Sequence, residues 1–161
     1  MLSTRAFTAA ALLLAAIATL GTGCATSRDV LATERARSNT QTVLAFEETV
    51  FNKHQVPEGF ARFVGPSFRQ HDPLIADGKD YTIKALSIEL GSVFPNSRVI
   101  VKRTVAQGDL VAVHLLWDQK PGETRGVAMM ELYRLEFGKI VEHWSVVQGI
   151  ADAPANSNSM F

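Results

Sequence analysis

The chain has one cysteine, Cys24, in 161 residues, no net formal charge, and no block of Lys or Arg. A single cysteine excludes an intrachain disulfide framework and any cysteine-built metal cluster. Sixteen basic residues are matched by sixteen acidic ones, so no strongly basic face is expected. Nucleic acid is therefore not expected as a partner, because that affinity rests mainly on phosphate neutralisation. The four histidines are scattered without an HExxH or other paired-ligand spacing, so no metal site is expected. GxSxG, Walker and dinucleotide-binding fingerprints are missing, and no cofactor is expected. What remains has the composition of an ordinary globular protein, at a length that fits one domain.

The first residues read as a targeting segment. Arg5 supplies positive charge, Ala6 to Leu20 is continuously apolar, and Gly21, Thr22 and Gly23 precede Cys24. The apolar run has signal-peptide length and is short for a membrane span. It resembles a bacterial lipoprotein signal, with residues 1–23 removed and Cys24 acylated, although Gly21 stands where a large aliphatic residue is usual. Ordinary cleavage to a soluble periplasmic product and a retained anchor are the other readings. Ala25 carries no sign of inner-membrane retention, so an outer-membrane lipoprotein facing the periplasm is the expected location. Removing the segment takes away Arg5 alone among the charged residues and leaves the rest near minus one. Residues 24–38 are small, polar and charged and read as a tether, helical toward its end if at all.

Helical periodicity starts at Asn39, with Val43, Phe46 and Val50 on one stripe. Pro57 suits the first turn of a second helix carrying Phe60 and Phe63. A short extended piece, Phe68 to His71, stops at Asp72-Pro73. A third helix runs from Asp80 or Thr82 through Leu90. From Arg98 onward the pattern becomes that of strands: Arg98 to Ala106, Leu110 to Trp117, and a hairpin over Gly126 to Gln148 with a two-residue turn at Phe137-Gly138. Helices followed by a run of antiparallel strands make an α+β fold, with an enclosed space between layers suited to a small molecule.

The hairpin holds Glu131 in an otherwise apolar strand. A buried carboxylate is costly unless paired or protonated, and burial favours its protonated form. Such a group is a candidate general acid or base; a carboxylate paired with Arg or Lys is the alternative. With a regular two-residue turn, Glu131 faces Trp144, Leu132 faces His143, and His143 points away from the acid. A bulge would exchange these faces. His114, in the most apolar strand, is either a donor to a developing enolate oxygen or a core histidine. His71 either lines a pocket mouth or braces its turn. Trp117, Trp144 and Tyr133 are candidate pocket walls, with Gln148 as a further binding candidate; plain core packing is the alternative for the aromatics.

Taken together, VLAFEETVFN, FRQHDPLIADGK, VKRTVAQGDLVAVH, ELYRLEFGKIVEHWSVVQ and ANSNSMF resemble the SnoaL-like proteins of the nuclear transport factor 2-like superfamily. The branch in question is described as predicted aldol-condensation enzymes. The resemblance covers residues 39–161. It implies a cone-shaped α+β barrel, a strongly bent antiparallel sheet around about three helices, and a homodimer formed through the sheet. It also implies a pocket for a small, partly apolar molecule. Cofactor-free cyclase, isomerase or lyase-type chemistry through Glu131, His114 and His71 is one expectation; a non-catalytic binding or interaction module is the other. SnoaL-like cyclases typically place an Asp at the position of Glu131, and relatives commonly show HWD where this chain has Ser145.

Overall fold

The computed structural model describes residues 26–161. The expected signal, its cleavage site and Cys24 lie outside the described residues. Three helices and five strands follow in order. Helix α1, Ser27–Glu47, begins on a capping box in which the Thr26 side chain accepts from Asp29 N–H and the Asp29 side chain returns the bond to Thr26. It starts well before Asn39, so most of the segment read as a tether is helical. A π-type turn over Glu48–Asn52 continues it. Helix α2, Val56–Phe63, has its proline in the first turn and leads directly into strand β1, Val64–Gln70. Helix α3, Lys79–Ile88, is extended by a second π-type turn, Glu89–Val93. Strands β2 (Arg98–Gln107), β3 (Leu110–Asp118), β4 (Val127–Glu136) and β5 (Lys139–Gly149) then form a meander.

The sheet order is β1-β5-β4-β3-β2. Strands β2 to β5 are antiparallel neighbours, and β1 joins β5 in parallel. The expected α+β fold of about three helices on a mainly antiparallel sheet is therefore found, with two differences: the sheet is open, and β1 joins it in parallel. The parallel pair arises because α2 runs straight into β1, while β5 reaches the same edge from the far end of the chain.

One sheet face meets the helices. Val111, Val113, Leu115 and Trp117 alternate along β3 as its buried side and pack with Val43, Phe46, Val50 and Phe60 from the helices. The π-type turn after α1 brings Val50 against α2, where a Cβ on Gly59 would lie 2.3 Å from Val50 Cγ2. Asn52 Oδ1 accepts from Val99 N–H at 2.8 Å, fastening the end of that turn to β2. Among the described residues, no helix is long and apolar enough to cross a membrane.

Candidate functional site

The hairpin turn is as expected: Glu136 pairs with Lys139 and Leu135 with Ile140. Phe137 and Gly138 both have positive φ, 49° and 73°, the geometry of a type I′ turn. The register then slips. Arg134 pairs with Glu142, not Val141, because one extra residue is accommodated on β5. Every later pair moves by one: Tyr133 meets His143, Leu132 meets Trp144, and Glu131 meets Ser145.

Since side chains alternate across a strand, the slip decides what the cavity contains. His143 and Ser145 turn toward the helices with Glu131, and Trp144 turns outward. The expectation that Trp144 faces Glu131 and that His143 points away is corrected. Trp144 stacks on His71 on the outer side of the sheet, with ring centroids 4.4 Å apart and planes 3° apart. His71 also lies 3.5 Å from Glu142, whose other oxygen binds Arg134 at 2.7 Å. This pairing with Arg134 holds the Glu142 carboxyl below the usual range. His114 projects outward from β3 and meets Phe161, ring centroids 5.4 Å apart. Gln148 pairs with Ala128 and is likewise on the outer face. Of the expected site residues, the structure brings Glu131, Tyr133 and Trp117 to the cavity; His71, His114, Trp144 and Gln148 are not among its lining residues.

The cavity between helices and sheet has a volume of about 250 Å³, small beside the roughly 300–1,000 Å³ of common ligand pockets. Phe46, Phe51, Phe60, Phe68 and Met129 make much of it apolar. Glu131, only 2% exposed, lies in its wall. Ser145 Oγ donates to Glu131 Oε1 at 3.0 Å, and His143 Nε2 meets Glu131 Oε2 in a short hydrogen bond.

The proton inventory of this pair follows from its neighbours. The oxygen Oε1 of Gln70 accepts from the backbone N–H of Asp72 at 3.0 Å, which identifies it as the amide's oxygen. His143 Nδ1 lies 2.9 Å from that oxygen and must donate to it. Nε2 then faces Glu131 with one proton between them, either as imidazolium to carboxylate or as carboxylic acid to imidazole. In both forms the pair is neutral, which is how a buried acid is tolerated in an apolar wall. The backbone N–H of Gln70 donates to Asp77 Oδ1 at 2.8 Å, tying the loop after β1 to this network.

Behind the pair lies a second buried acid. Tyr133 OH donates to Glu47 Oε1 at 2.6 Å, and the Tyr133 ring stacks on His143 at 4.9 Å. Burial, then the negative charge of Glu131, push the Glu47 carboxyl up to about 8, partly opposed by the Tyr133 hydrogen bond. The Tyr133 phenol is raised well above its usual value, chiefly by burial, and remains a donor. Glu47 was overlooked in the sequence although it follows Val43 by four residues and precedes Val50 by three, on the buried stripe of α1. Among the described residues, no cluster of three or more His, Cys, Asp or Glu could hold a metal ion.

Three helices laid on an open mixed sheet of five strands define an α+β fold of the nuclear transport factor 2-like class. The family model described as SnoaL-like polyketide cyclase matches residues 41–153, and the chain belongs to that family. A SnoaL-like protein of unknown function from Burkholderia thailandensis E264 is similar in structure, with a TM-score of 0.59 at 16% identity, over 70% of this chain and 96% of that one. TsrD from Streptomyces laurentii gives 0.57 at 16% identity over 69% and 89%. IdmH from Streptomyces antibioticus gives 0.53 at 19% identity over 68% and 91%. At these identities the likeness shows the fold alone. No curated protein matches the sequence.

Proposed function

We propose that this protein binds a small, partly apolar carbonyl compound and catalyses cofactor-free proton transfer at the carbon next to the carbonyl, through Glu131 and His143. The observation that carries this reading is a buried carboxyl–imidazole hydrogen bond in the wall of an apolar cavity, with outer partners that leave one proton for the pair to share. In the imidazolium–carboxylate form, Glu131 takes the α-proton, the C–H electron pair becomes the enol double bond, and His143 Nε2 gives its proton to the carbonyl oxygen. The pair ends as it began, with one proton. Attack of the enol carbon on a second carbonyl of the same molecule gives an aldol cyclisation: Glu131 protonates the new alkoxide and the enol oxygen returns its proton to His143. Return of the proton from Glu131 to a different carbon of a conjugated enol, with the enol oxygen giving its proton back to His143, gives an isomerisation. The apolar walls exclude water from the enol.

The test is deuterium exchange at the α-carbon of a small cyclic monoketone such as cyclohexanone, whose uncatalysed exchange at neutral pH is slow. Glu131→Gln should abolish enzyme-dependent exchange while leaving the fold intact by circular dichroism. Unchanged exchange would sink the reading. A Glu131→Gln protein that retains ligand, in a wild type that never exchanges, would support the non-catalytic binding module, which the mostly apolar lining also fits.

Envelope location and a lipid anchor at Cys24 belong to the same proposal and are supported by the apolar run, small residues and cysteine of the first 24 positions. A globomycin-sensitive mobility shift would report lipoprotein processing; its absence would leave the soluble periplasmic form or a retained anchor. A homodimer through the outer sheet face is supported by exposed Val105, Met130 and Val146, and sedimentation of a Val146→Arg variant as a monomer would test it.

A further inference from the structure

The proposed reaction uses Glu131 and His143 and leaves Glu47 without a role. Glu47 is 1% exposed and contacts water no more than a core leucine does. Its Oε1 accepts from Tyr133, and its buried Oε2 has no hydrogen-bond partner. An ionised carboxylate with one unpartnered oxygen in the core is far more costly than a neutral acid with one unused group. The geometry therefore favours the protonated acid, its hydroxyl on Oε2 and its carbonyl oxygen receiving the phenol.

The contacts lead from there to the site in two ways. Mechanically, the hydrogen bond fixes the Tyr133 phenol, and the Tyr133 ring is one face of the stack that holds the His143 imidazole. Phe46, the residue before Glu47, closes on the Tyr133 ring edge-on at 5.9 Å. Electrostatically, the charge of Glu131 is close enough to disfavour ionisation of Glu47. The titratable groups facing Glu47 are Tyr133 and Glu131 from β4, with His143 of β5 one ring further. On its own helix the next residue, Glu48, turns to solvent and pairs with Lys53.

We propose that Glu47 is a positioning residue: acting through Tyr133, it orients the His143 ring, and by staying neutral it keeps a second negative charge away from the Glu131–His143 pair. Its ionisation is then a built-in alkaline switch, since a charge appearing behind the pair changes how the shared proton is held. This rests on the proposed function for its catalytic meaning, but the linkage itself exists in the unliganded protein.

The experiment follows the His143 ring by heteronuclear NMR from pH 5 to pH 10, with the resonance assigned by a His143→Gln variant. Wild type should show an inflection near pH 8. In Glu47→Gln that inflection should vanish. In Tyr133→Phe it should remain and move upward, because the phenol hydrogen bond is the one influence that lowers the Glu47 value. Superimposable wild-type and Glu47→Gln curves would overturn the proposal. If Glu47→Gln does not fold, an inflection unmoved in Tyr133→Phe would overturn it equally. The measurement needs no substrate, so an inflection in a protein without exchange activity would keep the linkage and remove only the catalytic reading.

Discussion

Replacing Glu47 by Gln should reverse the order of stability of wild type and variant between mildly acid and mildly alkaline pH. The sign follows from the proton count. In the folded protein Glu47 keeps its proton up to about 8, against 4.5 for an ordinary glutamate side chain. Between those values the folded state holds a proton that the unfolded chain releases, so the stability linked to this group is fully present below pH 4.5 and is lost as pH rises toward 8. At about 1.4 kcal/mol per pH unit, wild type should lose about 4 kcal/mol from this group between pH 5 and pH 8. Gln does not titrate. It still accepts from Tyr133 but puts two N–H donors where the acid's one hydroxyl already lacks a partner, an extra unmet donor costing about 1–3 kcal/mol. The variant should therefore be less stable than wild type at pH 5 and more stable at pH 8, the two curves crossing between. Urea denaturation at pH 5, 6.5 and 8 reads the difference as a midpoint shift at constant slope. Other titrating groups are common to both proteins and largely cancel. Parallel stability curves would refute the argument, because they would mean that Glu47 ionises in the folded protein much as it does in the unfolded chain.

Three further outcomes follow from the packing. Gly59→Ala should destabilise by about 1–3 kcal/mol, measured by thermal melting, because its Cβ would sit 2.3 Å from Val50 Cγ2. Phe137→Asn should stabilise slightly, by about 0.5 kcal/mol in urea melts, since Phe137 is wholly exposed with φ 49° and Asn-Gly suits a type I′ turn better. Trp144→Ala should leave α-proton exchange within about threefold of wild type, because the indole is on the outer face; a loss as deep as that of Glu131→Gln would place it in the cavity after all.

Much of the architecture was legible in local signals. The strand limits at Arg98, Leu110 and Lys139 follow turn residues, and Phe137-Gly138 was readable as a two-residue turn. Asp29 three residues after Thr26 is a capping-box signature, so the early start of α1 was also written in the sequence and simply outweighed by the polar look of residues 24–38. The π-type turns and the parallel β1–β5 pair were not legible, because tertiary packing and long-range pairing produce them without local sequence signs. For the site, Glu131, Tyr133 and Trp117 followed from apolar strand context. His143 did not, because nothing in Lys139 to Ser145 marks where the extra residue is accommodated. His114 shows the converse error: β3 is apolar on both faces, so a histidine inside it gives no clue to which side it takes.

That extra residue near Val141 also governs how this protein compares with its relatives. Two chains with the same letters after the Gly-Lys turn present different chemistry if one bulges and the other does not: one shows the cavity an imidazole and a hydroxyl, the other an indole. Deleting Val141 would leave a regular hairpin that keeps His143 and Ser145 on the side of Glu131, whereas pairing Val141 with Arg134 would turn Trp144 inward. Pocket residues across such a family are therefore matched by counting strand partners from the turn, and the presence or absence of a one-residue bulge is enough to exchange a proton-transfer wall for an aromatic one.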